Sequence, residues 1–300
     1  VEYELTLSGF QNSLFGKLYA QRVTADEHVL GDVITREIAK TTAGVGDSLR
    51  FDLTEDVYLK ASYEWATRMP AADEYFGDGA LTVSNYGLLP ERSHNFNLSM
   101  RGRLKRARLG VVQGEVAFFA RRVSDLIWLT ASADSFEYQN VGEARSLGAT
   151  ANASYRSPGD WVELRGSASY LDFRNVSNAG IYADVRGDRI PNRPWLEASG
   201  EIGVGANQVV REGDRLSALW GFRYVHEYFL AYESRGKSGA KLTIPSQFVM
   251  HAALRYVVTR GKRTLATVLE AQNLANVAAY DFYGVQRPRR AVYAKLTADF

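Results

Sequence analysis

The 300-residue chain contains no cysteine, which excludes a disulfide framework and any zinc–thiolate centre. It also lacks any apolar run approaching the roughly 18 residues of a membrane-spanning helix. Neither sign of charge is in excess: 36 Lys and Arg face 34 Asp and Glu, a formal net charge of +2. The concentrated basic footprint of a nucleic-acid binder is therefore missing. The one basic cluster, Arg101, Arg103, Lys105, Arg106 and Arg108, straddles a tight turn between two expected strands and reads as solvated. Four histidines occur, His28, His94, His226 and His251, without an HExxH pattern or a His-rich tract, so neither a metal site nor a cofactor is expected. Of these, only His226 (with Glu227) and His251 are expected to approach each other, as polar groups of a wet interior. GxSxG and phosphate-loop motifs are absent too, and no catalytic residue is nominated.

What the chain has is alternation and aromatic side chains. Hydrophobic residues make up 46% of it, with 17 Tyr, 14 Phe and 5 Trp. In the stretch 57–68, Val57, Leu59, Ala61, Tyr63 and Trp65 fall on one face, and Tyr58, Lys60, Ser62, Glu64 and Arg68 on the other. The same period recurs and predicts about 13 strands. These include Ser13 to Ala25, Ile34 to Leu53, Arg108 to Thr130, and Tyr138 to Arg156. A soluble β-sandwich and a membrane barrel both alternate, but a barrel can use surplus aromatics as interfacial girdles.

Connections separate the two. Short turns at 54–55, around Lys105, at 157–160, at 211–214 and at 260–261 alternate with long loops at 71–91, 131–137, 175–192, 231–246 and 273–287. Short turns on one rim and long loops on the other define an antiparallel up-and-down transmembrane barrel. Face chemistry agrees. In the last strands Phe248, Met250, Ala252, Leu254 and Tyr256, then Leu265, Leu269 and Ala271, then Val292, Ala294, Leu296 and Ala298 point one way. His251, Arg255, Glu270, Lys295 and Asp299 point the other, toward a wet lumen.

Three segments carry a family resemblance. Thr67-Arg68-Met69-Pro70, Glu74-Tyr75-Phe76-Gly77-Asp78-Gly79 and Leu89-Pro90-Glu91-Arg92 resemble a characteristic stretch of TonB-dependent outer-membrane receptors. Asn140-Val141-Gly142-Glu143-Ala144-Arg145, before a strand containing Gly148, and Ile190-Pro191-Asn192-Arg193-Pro194 look like the same family. Gln272-Asn273-Leu274-Ala275-Asn276, Arg287-Pro288-Arg289-Arg290 and the terminal Phe300 resemble its closing hairpin. The resemblance implies an all-β fold: some 13 strands of a barrel of about 22 with a plug in its lumen. Residues 1–300 would be the carboxy-terminal portion, with roughly nine strands and the plug supplied from elsewhere. The chain starts without Met or signal peptide, as an alternating strand, and is expected to be a fragment or one piece of a split protein.

Implied partners are outer-membrane lipid, the upstream plug and strands, TonB through that plug, and the barrel-assembly machinery through the terminal strand at Phe300. The implied function is energy-coupled uptake of a scarce solute such as a siderophore, corrinoid, glycan or peptide. An adhesive barrel or an outer-membrane hydrolase is the alternative. Arg68, Pro70, Glu74, Gly77, Pro90, Glu91, Asn273 and Pro288 are implied to be structural, with Arg68, Glu74 and Glu91 tying a loop to the wall. Loop aromatics, Tyr75, Phe76, Tyr86, Tyr182, Tyr228, Phe229, Tyr232, Phe282 and Tyr283, are the candidates for ligand contact, because their faces offer stacking surfaces.

Overall fold

A computed structural model describes residues 1–29, 32–131, 135–140, 142–178, 180, 182–235, 242–281 and 284–299. Its strands are β1 (Glu2–Leu7), β2 (Phe10–Val29), β3 (Asp32–Thr54), β4 (Val57–Arg68), β5 (Thr82–Val83), β6 (Glu91–Arg106), β7 (Gly110–Ser124), β8 (Ile127–Ala131), β9 (Phe136–Asn140) and β10 (Glu143–Arg156). They continue as β11 (Val162–Asn175), β12 (Leu196–Asn207), β13 (Asp214–Val225), β14 (Tyr228–Phe229), β15 (Thr243–Ile244), β16 (Gln247–Arg260), β17 (Arg263–Gln272) and β18 (Ala291–Asp299). One short helix, α1 (Ala72–Phe76), follows β4.

Thirteen strands form one antiparallel sheet in the order β1-β2-β3-β4-β6-β7-β10-β11-β12-β13-β16-β17-β18. It is an open arc of barrel wall, with β1 and β18 at its edges. Cross-strand partners share a face, so register converts alternation into continuous rows. One row runs Leu164, Ile202, Trp220, Ala252, Ala271, Val292; an adjacent row on the opposite face runs Arg165, Glu201, Gly221, His251, Gln272. The first row is apolar and meets lipid. The second carries an ion-pair chain, Arg165 to Glu163 at 2.7 Å and to Glu201 at 3.5 Å, with His251 at 3.6 Å from Glu201.

The short turns after β1, β3, β6, β10, β12 and β16 lie on one rim, and the long connections lie on the other, where β2 also passes to β3 between Val29 and Asp32. The turn between β12 and β13 is fixed by Asp214, whose carboxylate accepts the N–H groups of Val209, Val210 and Arg211 and the Tyr256 hydroxyl at 2.8–3.0 Å.

The structure departs from the expected strands in three places. β2 and β3 extend to Val29 and Asp32, and residues 21–40 pair only with each other, so this hairpin stands clear of the wall above the end of β4. The expected strand 108–130 ends at Ser124, because Asp125 adopts φ 57° and redirects the chain into β8. The expected strand 138–156 breaks before Glu143, where Gly142 has φ 56°. The freed pieces make a separate sheet, β5-β9-β8, above the wall.

Being one layer thick, the wall has little interior of its own. The buried clusters sit instead where the wall strands end and the long loops pack on them: Tyr75, Leu88 and Ile127; Val123, Leu126 and Ala144; Tyr182 and Val185; and Val225, Tyr228 and Ile244.

Candidate functional site

The loop rim is organised around Arg68, the last residue of β4. Its Nη1 donates to both carboxylate oxygens of Glu74 at 2.9 and 2.8 Å, and its Nη2 donates to Glu91 Oε1 at 2.9 Å. Glu74 sits in the first turn of α1 and also accepts the Ala71 N–H at 2.7 Å. Glu91 opens β6, is 4% exposed, and accepts the Ile127 N–H at 2.8 Å, with Arg121 at 3.7 Å from its other oxygen. Two carboxylates and one guanidinium thus join β4, α1, β6 and β8. Hydrogen bonds donated to Glu91 and Glu74 raise the Arg68 pKa further above its ordinary value, so the charge is permanent.

The other motif residues hold the same loop. Pro70 is fully buried and its carbonyl accepts Gln21 Nε2 at 2.9 Å, from the tall hairpin. Lys40, the cross-strand neighbour of Gln21, donates to the Leu88 carbonyl and lies over the Tyr75 ring; burial lowers its pKa. Gly77 has φ +66°, and a Cβ there would fall 2.0 Å from the Thr82 carbonyl oxygen, so no other residue fits. Asp78 accepts the N–H groups of Ala80, Leu81 and Thr82 at 2.8–2.9 Å. Those bonds, Thr82 foremost, hold its carboxyl below the usual carboxylate range. Pro90 leads into β6, half-buried. Asn273 is buried at φ 51° and closes a turn on Val277 through both its Nδ2 and its Oδ1. Pro288 lies in the connection to β18, whereas Phe300 is outside the described residues.

The loop aromatics divide into two groups, and those of the first are buried in the loop packing. Tyr75 is 0% exposed, Tyr228 2% and Tyr182 8%. Each is a core residue of the loop packing, because a loop crown above a one-layer wall must make its own interior. Burial raises the Tyr75 and Tyr228 pKa values. In the second group Phe76 is exposed and meets Tyr86 edge-on at 5.9 Å, while Phe229 and Tyr232 are half-buried. Tyr232 packs against Tyr182 at 6.2 Å, and burial raises its pKa as well. Phe282 and Tyr283 lie outside the described residues.

His226 and His251 do not meet. His226 packs on Trp195 and accepts or donates to the Tyr224 hydroxyl at 2.6 Å, whereas His251 lies five positions further down the ladder beside Glu201. Among the described residues no group of acidic, histidine or cysteine side chains is placed to hold a metal ion.

Sequence reasoning missed a second constellation. A cavity of about 500 Å³ on the lumen face is lined by Arg223, Gln247, Glu270, Arg287 and Arg289, drawn from β13, β16, β17 and the segment before β18. The only signal for it in the sequence was the basic run 287–290.

The family description "TonB dependent receptor-like, beta-barrel" matches residues 23–274. No curated protein matches the chain. Among solved structures, the copper transporter OprC is 19% identical with a TM-score of 0.71, covering 96% of this chain and 44% of its own. The ferric preacinetobactin receptor BauA from Acinetobacter baumannii is 16% identical with a TM-score of 0.70, covering 100% and 42%. The unliganded ferric citrate transporter FecA is 13% identical with a TM-score of 0.72, covering 96% and 42%. The chain thus spans less than half the length of these structures, and at such identities they carry the fold alone. They are transporters and receptors, not enzymes. A sheet with lipid on one face and ion pairs on the other, matched by the family over most of its length, has one reading: the chain belongs to the TonB-dependent receptor β-barrel family and forms wall of an integral outer-membrane barrel.

Proposed function

We propose that residues 1–300 are the carboxy-terminal barrel portion of a receptor that takes up a scarce solute at the expense of inner-membrane energy. The remaining strands and the plug come from the rest of the protein, in the same chain or a second one, and the plug carries the contact with TonB. The barrel-assembly machinery reads the terminal strand at Phe300. The observation that supports this reading most is the family match across residues 23–274, combined with long connections confined to one rim.

In this reading Arg68, Glu74 and Glu91, with Pro70, Gly77 and Pro90, hold the first long loop over the entrance, and Asn273 and Pro288 shape the last one. Phe76, Tyr86, Phe229 and Tyr232 remain as aromatic surfaces for a ligand, with Phe282 and Tyr283 beside them in sequence order on the last loop. The test is growth of the host on a limiting supply of candidate solutes, with the receptor gene deleted and restored. Uptake should need both the receptor and TonB. Uptake that persists after the inner-membrane proton gradient is dissipated would refute energy coupling.

A further inference from the structure

We propose that the lumen cavity between β13, β16, β17 and the segment entering β18 is a binding site for an oxyanion-bearing solute, one presenting carboxylate or phosphate groups. The proposal rests on the uptake reading for its physiological role, but its structural basis is independent of it.

Three arginines, Arg223, Arg287 and Arg289, line this cavity against one carboxylate, Glu270. Some lumen cations elsewhere are held in ion pairs, such as Lys17 with Glu64 and Arg165 with Glu163. Here the pairing is incomplete. Arg223 reaches Glu197 at 3.2 Å, Arg289 donates only to the Asn276 carbonyl at 3.3 Å, and the Arg287 side chain has no polar partner among the described residues. Glu270 is engaged by Gln272 Nε2 at 2.7 Å.

Gln247 makes the argument specific. It is 6% exposed, and its Oε1 accepts the Tyr280 N–H at 2.7 Å, which fixes the orientation of the amide. Its Nε2 is buried without any acceptor. An unpaired buried donor costs more than an ordinary hydrogen bond contributes, so such groups are rare unless something completes them. Guanidinium and amide N–H groups donate only. An acceptor-rich, negatively charged group matches this donor set, and planar guanidinium groups pair bidentately with carboxylate and phosphate alike. A bare metal cation is the wrong sign for it.

The experiment is calorimetric titration of the full-length receptor in detergent with tricarballylate, inorganic phosphate and, as a neutral control, raffinose. At least one anion should bind, more weakly as salt rises, and raffinose should not; comparing the two anions identifies the preferred group. Arg287→Gln with Arg289→Gln should weaken binding about ten- to a hundredfold. Gln247→Glu keeps the acceptor for Tyr280 and turns the buried donor into an anion, so it should abolish binding; it also serves if the double variant does not fold. A folded receptor, by heat-modifiable mobility, that binds neither anion overturns the site, as does anion binding unaffected by these variants. TonB-dependent uptake of a neutral solute without anion binding would remove this inference alone. Anion binding without TonB-dependent uptake would instead remove the proposed function and leave the site.

Discussion

The phenyl ring of Phe119 occupies the space that a side chain at Gly148 would need. The two are register partners on the lumen face of β7 and β10, and a Cβ on Gly148 would fall 2.3 Å from Phe119 Cζ and 2.5 Å from the Tyr170 carbonyl oxygen. A ring laid over a strand glycine shields the backbone that the glycine leaves bare. Phe15 lies over Gly46 and His251 over Gly221 in the same way.

Gly148→Val should therefore displace Phe119 and cost about 1–3 kcal/mol through overpacking. Gly166→Val, where the nearest atom to an added Cβ is 3.9 Å away, should be tolerated. Heat-modifiable mobility of the two variants in the full receptor is the readout, and equal loss of folded band would contradict the assignment.

Face orientation is tested by Leu254→Arg against Asn152→Arg. Leu254 is 47% exposed on the lipid side of β16, whereas Asn152 is on the lumen row with Glu115. A cation near the bilayer midplane costs roughly 2–4 kcal/mol, and the lumen is already hydrated. Only the Leu254 variant should lose outer-membrane abundance. Gln247, a lumen position by its alternation, would not serve as the tolerant partner, because its side chain is buried.

At the rim, Glu91→Gln should loosen the first long loop. A hydrogen bond to a charged group contributes about 1.5–3 kcal/mol, less here because the Arg68 side chain is 42% exposed. Limited proteolysis should cut between 77 and 90 faster in the variant, while the wall remains resistant. Unchanged cleavage would mean that α1 and Pro70 hold the loop without Glu91.

Asp78 supplies a pH dependence. Its folded pKa is below the ordinary value near about 4, so its contribution is present above that pH and is lost as pH falls through the lowered value. Because residues 1–300 contain no cysteine, Leu81→Cys is the one spin-label position within them. The label should become mobile only as pH falls through that lowered value, and Asp78→Asn should make it mobile at all pH values. A spectrum insensitive to both would show that the turn does not depend on the carboxylate.

Alternation made the wall legible in the sequence because a two-residue period admits only one face assignment once lipid and water are opposed. Thus the outward positions from Phe248 to Tyr256 and the inward His251 and Arg255 could be read from the chain. The loop crown could not. Tyr75 and Phe76 are adjacent aromatics in one motif, yet one is fully buried and the other exposed, since packing against Leu88 and Ile127 decides between them. The cavity around Gln247 was hidden for a related reason: its donors come from separate strands, and only the register brings them together.

The grip of the tall hairpin on the first loop has a consequence for how this surface can evolve. Gln21 and Lys40 hold the carbonyl oxygens of Pro70 and Leu88, which are main-chain atoms. Anchorage of that kind does not depend on which side chains the captured segment bears. Residues facing outward between these two points, such as Leu81 and Val83, are free to change while the hairpin keeps its hold.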